Sequence, residues 1–69
     1  MTVASVTEIS AASPEGFEAA IRGGIERANK TLRNIQSAWV KDMNILIKDG
    51  RMRAYKVNLL VTFVLEGAS

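Results

Sequence analysis

The sequence predicts an α+β domain of order β-α-β-β, in which one helix lies on the apolar face of a sheet. Three observations point there. A run rich in β-branched residues precedes a serine-proline helix signal, and an apolar stripe recurs at steps of three and four from Phe17 to Leu32. Two period-two stretches then flank Asp49-Gly50, the strongest short-range hairpin signal a sequence can carry.

Val3, Val6 and Ile9 sit among β-branched Thr2 and Thr7, so a first strand is expected from Thr2 to Ile9, broken by the segment from Ser10 to Ser13. Ser13-Pro14-Glu15 then reads as a helix N-cap, a proline in the first helical position and an acid in the first turn. Phe17, Ala20, Ile21, Gly24, Ile25, Ala28 and Leu32 form the helix stripe, with Glu18, Arg22, Glu26, Asn29 and Arg33 outside it. A glycine in a helix interior costs about 1 kcal/mol relative to alanine, so Gly24, inside the stripe, points to a close approach by a strand or another subunit.

After Asn34 the period changes to two, and a second strand of about ten residues is expected. In strict alternation Ala38, Val40, Asp42, Asn44 and Leu46 share one face, and Ser37, Trp39, Lys41, Met43, Ile45 and Ile47 the other. Asp49-Gly50 calls for a type I′ turn, which makes strands two and three antiparallel neighbours. On the third strand Tyr55, Val57, Leu59, Val61, Phe63 and Leu65 form an apolar face that covers the helix stripe. Pairing outward from the turn sets Trp39 opposite Leu60, Lys41 opposite Asn58 and Met43 opposite Lys56. The face away from the helix then carries Trp39, Met43, Leu60 and Val64, an apolar set that asks for an oligomer interface or a ligand.

With 69 residues the chain is expected to form one domain over 1–69, with too little core to stand comfortably alone. No apolar run approaches the roughly 20 residues of a membrane span, and the first ten residues do not read as a secretory leader, so a cytoplasmic protein without a membrane partner is expected. Having no Cys and no His removes disulfides, thiolate nucleophiles, imidazole bases and nearly every zinc or copper site. An enzyme would have to work with Lys, Tyr55 and carboxylates alone, and none is expected. The acids lack the spacing of a single-chain cation site, although a symmetry axis could gather one acid from each copy. Lys48, Arg51, Arg53 and Lys56 gather around the turn. They read as a solvated hairpin tip, and no nucleic-acid partner is expected because no aromatic stacking platform accompanies them.

The order of elements and several segments resemble the dodecins over nearly the whole chain. The carrying segments are Val6 to Ile9, Ser13 to Ile21, Arg27 to Ile35, Asp49-Gly50, Tyr55-Lys56-Val57 and Val61 to Glu66. The resemblance implies a three-stranded antiparallel sheet wrapped around one helix, and a homo-oligomer, a hollow dodecamer. It further implies flavins (riboflavin, FMN or FAD) stacked between tryptophans of neighbouring subunits, for storage or protection rather than turnover.

Carried over by position, the resemblance selects Ser37, Trp39, Asn44 and Lys56 as flavin-site residues, and this chain departs from the family's pattern there. Ser37 stands where flavin-binding dodecins usually have the stacking tryptophan, and Trp39 follows two residues later, on the same face but about 6 to 7 Å along the strand. Lys56 replaces a glutamine that contacts the flavin edge, and lysine donates but cannot accept. Asn44 and Val64 stand where some bacterial members have arginines. Lys56 also admits a plainer role, as a solvated charge or a partner of Asp42 or Glu66 in another subunit.

Two readings of function remain open. In one, the chain is an oligomeric flavin-binding and storage protein with Trp39 against the ligand, which could also be a related flat aromatic molecule. In the other, it is a dodecin-like shell that has lost flavin, with Trp39 packed between subunits and a structural or other small-ligand role.

Overall fold

The computed structural model describes residues 2–65. Its elements are β1 (Ala4–Ser13), α1 (Phe17–Ala28), β2 (Ile35–Lys48) and β3 (Arg51–Val64). They form one three-stranded sheet of order β1-β3-β2, with both pairings antiparallel. This is the expected β-α-β-β architecture. β3 is central, so its apolar side is the floor on which the helix rests.

The first strand continues four residues past the expected end at Ile9, because Ser10, Ala11, Ala12 and Ser13 pair with Asn58, Val57, Lys56 and Tyr55 of β3. Pairing with a long central strand overrides the weak strand preference of serine and alanine. The longer strand displaces the helix start. Ser13 is not the N-cap: its Oγ accepts a hydrogen bond from the Glu15 amide at 3.1 Å, closing a local turn. Gly16 holds the cap position at φ 150°, its carbonyl accepting from the Ala20 amide at 3.1 Å, and the helix opens at Phe17. Pro14 turns the chain between strand and helix.

The helix stripe is as expected up to Ala28, where the helix ends. Ala20, Gly24 and Ala28 are buried, while Phe17, Ile21 and Ile25 pack beside them. Leu32 lies beyond the helix, in a turn closed by its amide donating to the Ala28 carbonyl at 2.8 Å, yet still packs on the core. Asn34, at φ 60°, redirects the chain into β2. Opposite the helix, Val57, Leu59 and Val61 are fully buried, and Phe17 meets Tyr55 edge-on with ring centroids 5.0 Å apart. Gly24 touches a strand of its own chain. A Cβ there would lie 3.0 Å from Ala11 Cβ and 3.4 Å from Leu59 Cδ1.

Asp49 and Gly50 have φ values of 53° and 74°, the two positive angles of a type I′ turn, and join two strands of 14 residues, β2 being longer than the ten or so expected. Such strands run about 46 Å, whereas the twelve-residue helix is only about 18 Å long. The molecule is accordingly drawn out to 51 × 19 × 14 Å. α1 packs on β1 and β3, and the helix side of β2, with Val40, Met43 and Ile45, is left exposed.

Candidate functional site

Strict alternation fails in β2 because of bulges. Trp39 does lie opposite Leu60 and Val40 opposite Leu59, but the next pair is Asp42 with Asn58, so Lys41 is an extra residue in β2. From there Met43 faces Val57, Asn44 faces Lys56 and Ile45 faces Tyr55. The phase returns when Arg53 is extra in β3, between the pairs Leu46 with Ala54 and Ile47 with Met52. A one-residue slip moves every side chain to the other face of the sheet. Met43 therefore belongs with the buried residues of β3 on the helix side, not with Trp39, and Lys41 and Met43 do not oppose Asn58 and Lys56. Asp42 and Asn44 move the other way, onto the outer face.

The four residues selected from the sequence thereby share that outer face. Ser37 lies opposite Thr62, Trp39 opposite Leu60, and Asn44 directly opposite Lys56. Between Leu60 and Lys56 lie four steps of β3, about 13 Å, so the Asn44 and Lys56 row stands well away from Trp39. The row between them is Asp42 with Asn58, and the sequence reading did not place it in the site. Asn58 Nδ2 donates to Asp42 Oδ1, which leaves the Asn58 carbonyl oxygen and the second carboxylate oxygen as acceptors about 6 to 7 Å from the Trp39 row. Within the described residues of one chain no ion pair engages Lys56, and Asp42 accepts from Asn58; Glu66 lies outside the described residues.

β1 completes the face. Val6 pairs with Thr62, Glu8 with Leu60, Ser10 with Asn58 and Ala12 with Lys56. Trp39 is 73% exposed and Val6 57%, with half-buried Leu60 between β1 and Trp39. Lys41 Nζ reaches across β3 to Glu8, at 3.2 Å from Oε1 and 3.4 Å from Oε2. An exposed indole thus shares this face with aliphatic Leu60 and Val6, an ion pair and an acceptor row. That arrangement suits the face of an aromatic ring, with hydrogen bonds available to a polar edge. A concavity of about 650 Å³ lies elsewhere, between α1 and β1, and is lined mainly by small residues such as Ala19, Gly23 and Gly24. It offers no comparable aromatic surface.

Residues 3–66 match the family model described as Dodecin. The chain belongs to the dodecin family. A dodecin from Thermus thermophilus is 41% identical over 59 residues, covering 86% of each chain. The solved dodecin of Streptomyces davaonensis superposes with a TM-score of 0.89 at 37% identity, covering 94% of this chain and 96% of that one. Dodecin from Streptomyces coelicolor gives the same TM-score at 34% identity, covering 94% and 93%. The antiparallel three-stranded sheet around one helix is thus the dodecin fold. Among the described residues no three His, Cys, Asp or Glu side chains come together as metal ligands, and no helix is long and apolar enough to cross a membrane.

Proposed function

We propose that this dodecin is a non-catalytic, cytoplasmic flavin-binding and storage protein whose single domain, 1–69, assembles as a homododecamer and stacks a flavin against Trp39 between subunits. The observation that carries the reading is the 73% exposed indole of Trp39, paired with Leu60 on the sheet face away from the helix, which also carries Val6. Such a surface gains from a flat aromatic partner about 0.5 to 1.5 kcal/mol beyond the area it buries. An isoalloxazine also presents an N–H between two carbonyls, and the free oxygens of Asp42 and Asn58 offer acceptors one row from Trp39 on the same protomer.

Ser37 borders the stacked ring, while Asn44 and Lys56, about 13 Å along β3, serve the ribityl or phosphate end of riboflavin, FMN or FAD. Lys56 is well suited there. An ammonium supplies donors to phosphate without needing to accept. A second reading keeps the assembly but lets Trp39 pack against a neighbouring subunit without flavin, and Ser37 at the usual tryptophan position supports it.

Titration of riboflavin, FMN and FAD with the sized oligomer, followed by flavin fluorescence, separates the two. Quenching at low micromolar concentration, lost in Trp39→Ala while light scattering shows the same particle, is the expected result. An intact oligomer that leaves all three flavins fluorescent would establish the second reading.

A further inference from the structure

A separate feature lies at the far end of the β2-β3 hairpin. Lys48 and Arg51 are directly opposed on either side of the Asp49-Gly50 turn, and Arg53 is the extra residue of the adjoining bulge. Together with Asp49 and Met52 they line a concavity of about 590 Å³. Three cations meet one acid here, an excess of two positive charges. The whole chain has nine basic and seven acidic residues, so the remaining six of each cancel and the tip holds the molecule's entire formal excess.

Like charges directly opposed on a sheet are destabilising, and among the described residues no ion pair engages Lys48, Arg51 or Arg53. The type I′ turn fixes their spacing. We propose that this tip is a binding site for small oligophosphates, the di- or triphosphate group of a soluble ligand. Two guanidinium forks and an ammonium around a concavity match the several oxygens of such a group, which relieves the Lys48–Arg51 repulsion while forming charge-assisted hydrogen bonds.

The site lies beyond the flavin surface: nine steps of β3, about 30 Å, separate Arg51 from the indole row at Leu60, and five steps, about 16 Å, separate it from Lys56. Its neighbours also favour a small anion over a nucleic acid. The apolar side chains beside the cations are Ile47 and Met52, 69% and 55% exposed, and neither offers the flat ring on which bases stack.

The test is calorimetric titration of the intact oligomer with inorganic tripolyphosphate at about 20 mM salt, where surface charge is weakly screened. Binding should weaken as salt is raised and fall by at least about tenfold in the Arg51→Gln, Arg53→Gln double variant, the effect of losing charge-assisted hydrogen bonds. It should be unchanged in Trp39→Ala and in Lys30→Gln, which removes a charge from an exposed position away from the tip. Absence of binding would overturn the proposal, as would equal weakening by Lys30→Gln, which would mark a response to net charge alone. Tighter, arginine-dependent binding of a single-stranded oligonucleotide would overturn it in favour of nucleic acid.

Discussion

The two adjacent glycines of α1 allow the packing argument to be tested by sign as well as by size. A Cβ added at Gly23 meets nothing within 4 Å, so Gly23→Ala should collect the helix-propensity gain of about 1 kcal/mol without a penalty. At Gly24 the same gain is opposed by contact with Ala11 Cβ at 3.0 Å and Leu59 Cδ1 at 3.4 Å. Ala11 Cβ is fixed to the β1 backbone and cannot rotate aside, and overpacking of this kind costs about 1 to 3 kcal/mol. Gly24→Ala should therefore range from neutral to about 2 kcal/mol destabilising, leaving a gap of about 1 to 3 kcal/mol between the variants. In a domain this small, each kcal/mol is worth about 4 to 8 °C in melting temperature. Urea and thermal unfolding at one fixed protein concentration would measure the gap, since an oligomer's apparent stability depends on concentration. If Gly24→Ala proved as stable as Gly23→Ala, close packing of helix and strand would not be what occupies that position.

Two further outcomes follow from the backbone and from the uncovered sheet. Asn34 holds φ 60°, so Asn34→Ala should lose about 1 kcal/mol while Asn34→Gly stays within a few tenths of the parent in the same unfolding assay. Met43 and Ile45 lie exposed on the helix side of β2, and Met43→Lys with Ile45→Lys should dissociate the proposed assembly in light scattering while the monomer keeps its α+β circular dichroism.

What was legible in the sequence was local. The helix stripe from Phe17 to Ala28 and the Asp49-Gly50 turn depend on spacing and on two residues' preferred angles, and both are found where the sequence places them. The end of β1 was not legible, because Ser10 to Ser13 become strand only through partners some 45 residues away in β3. The same distant pairing moved the helix cap from Ser13 to Gly16. The bulge at Lys41 did leave a trace: strict alternation mixed Asp42 and Asn44 with Val40 and Leu46 on one face. One extra residue after Val40 instead gathers Ala38, Val40, Met43 and Ile45 beside the buried residues of β3, and places Asp42 and Asn44 outside. Of the site, Trp39 and its neighbour Leu60 were correctly paired from sequence, and Asn58 was placed in the next row, while Asp42 took its place opposite Asn58 only once the bulge was known.

The exposed apolar surface has a geometric origin. A helix of about 18 Å cannot cover strands of about 46 Å, and α1 is placed over β1 and β3, so the outer part of the hairpin is a single layer. A two-stranded ribbon without a second layer is marginal in water, yet Met43, Ile45, Ile47 and Met52 lie on its helix side. Copies of the chain can supply the missing layer on that side. On the outer side the apolar row of Trp39 with Leu60 is followed toward the turn by two polar rows, Asp42 with Asn58 and Asn44 with Lys56, before the row of Leu46 with Ala54. A protein partner covering the whole outer face would have to desolvate those polar groups, whereas a flat ligand can cover the indole and leave its own polar edge to meet them. The Lys41 bulge therefore sorts β2 into an apolar helix side and an outer side of mixed polarity, the side to which the proposed function assigns the ligand.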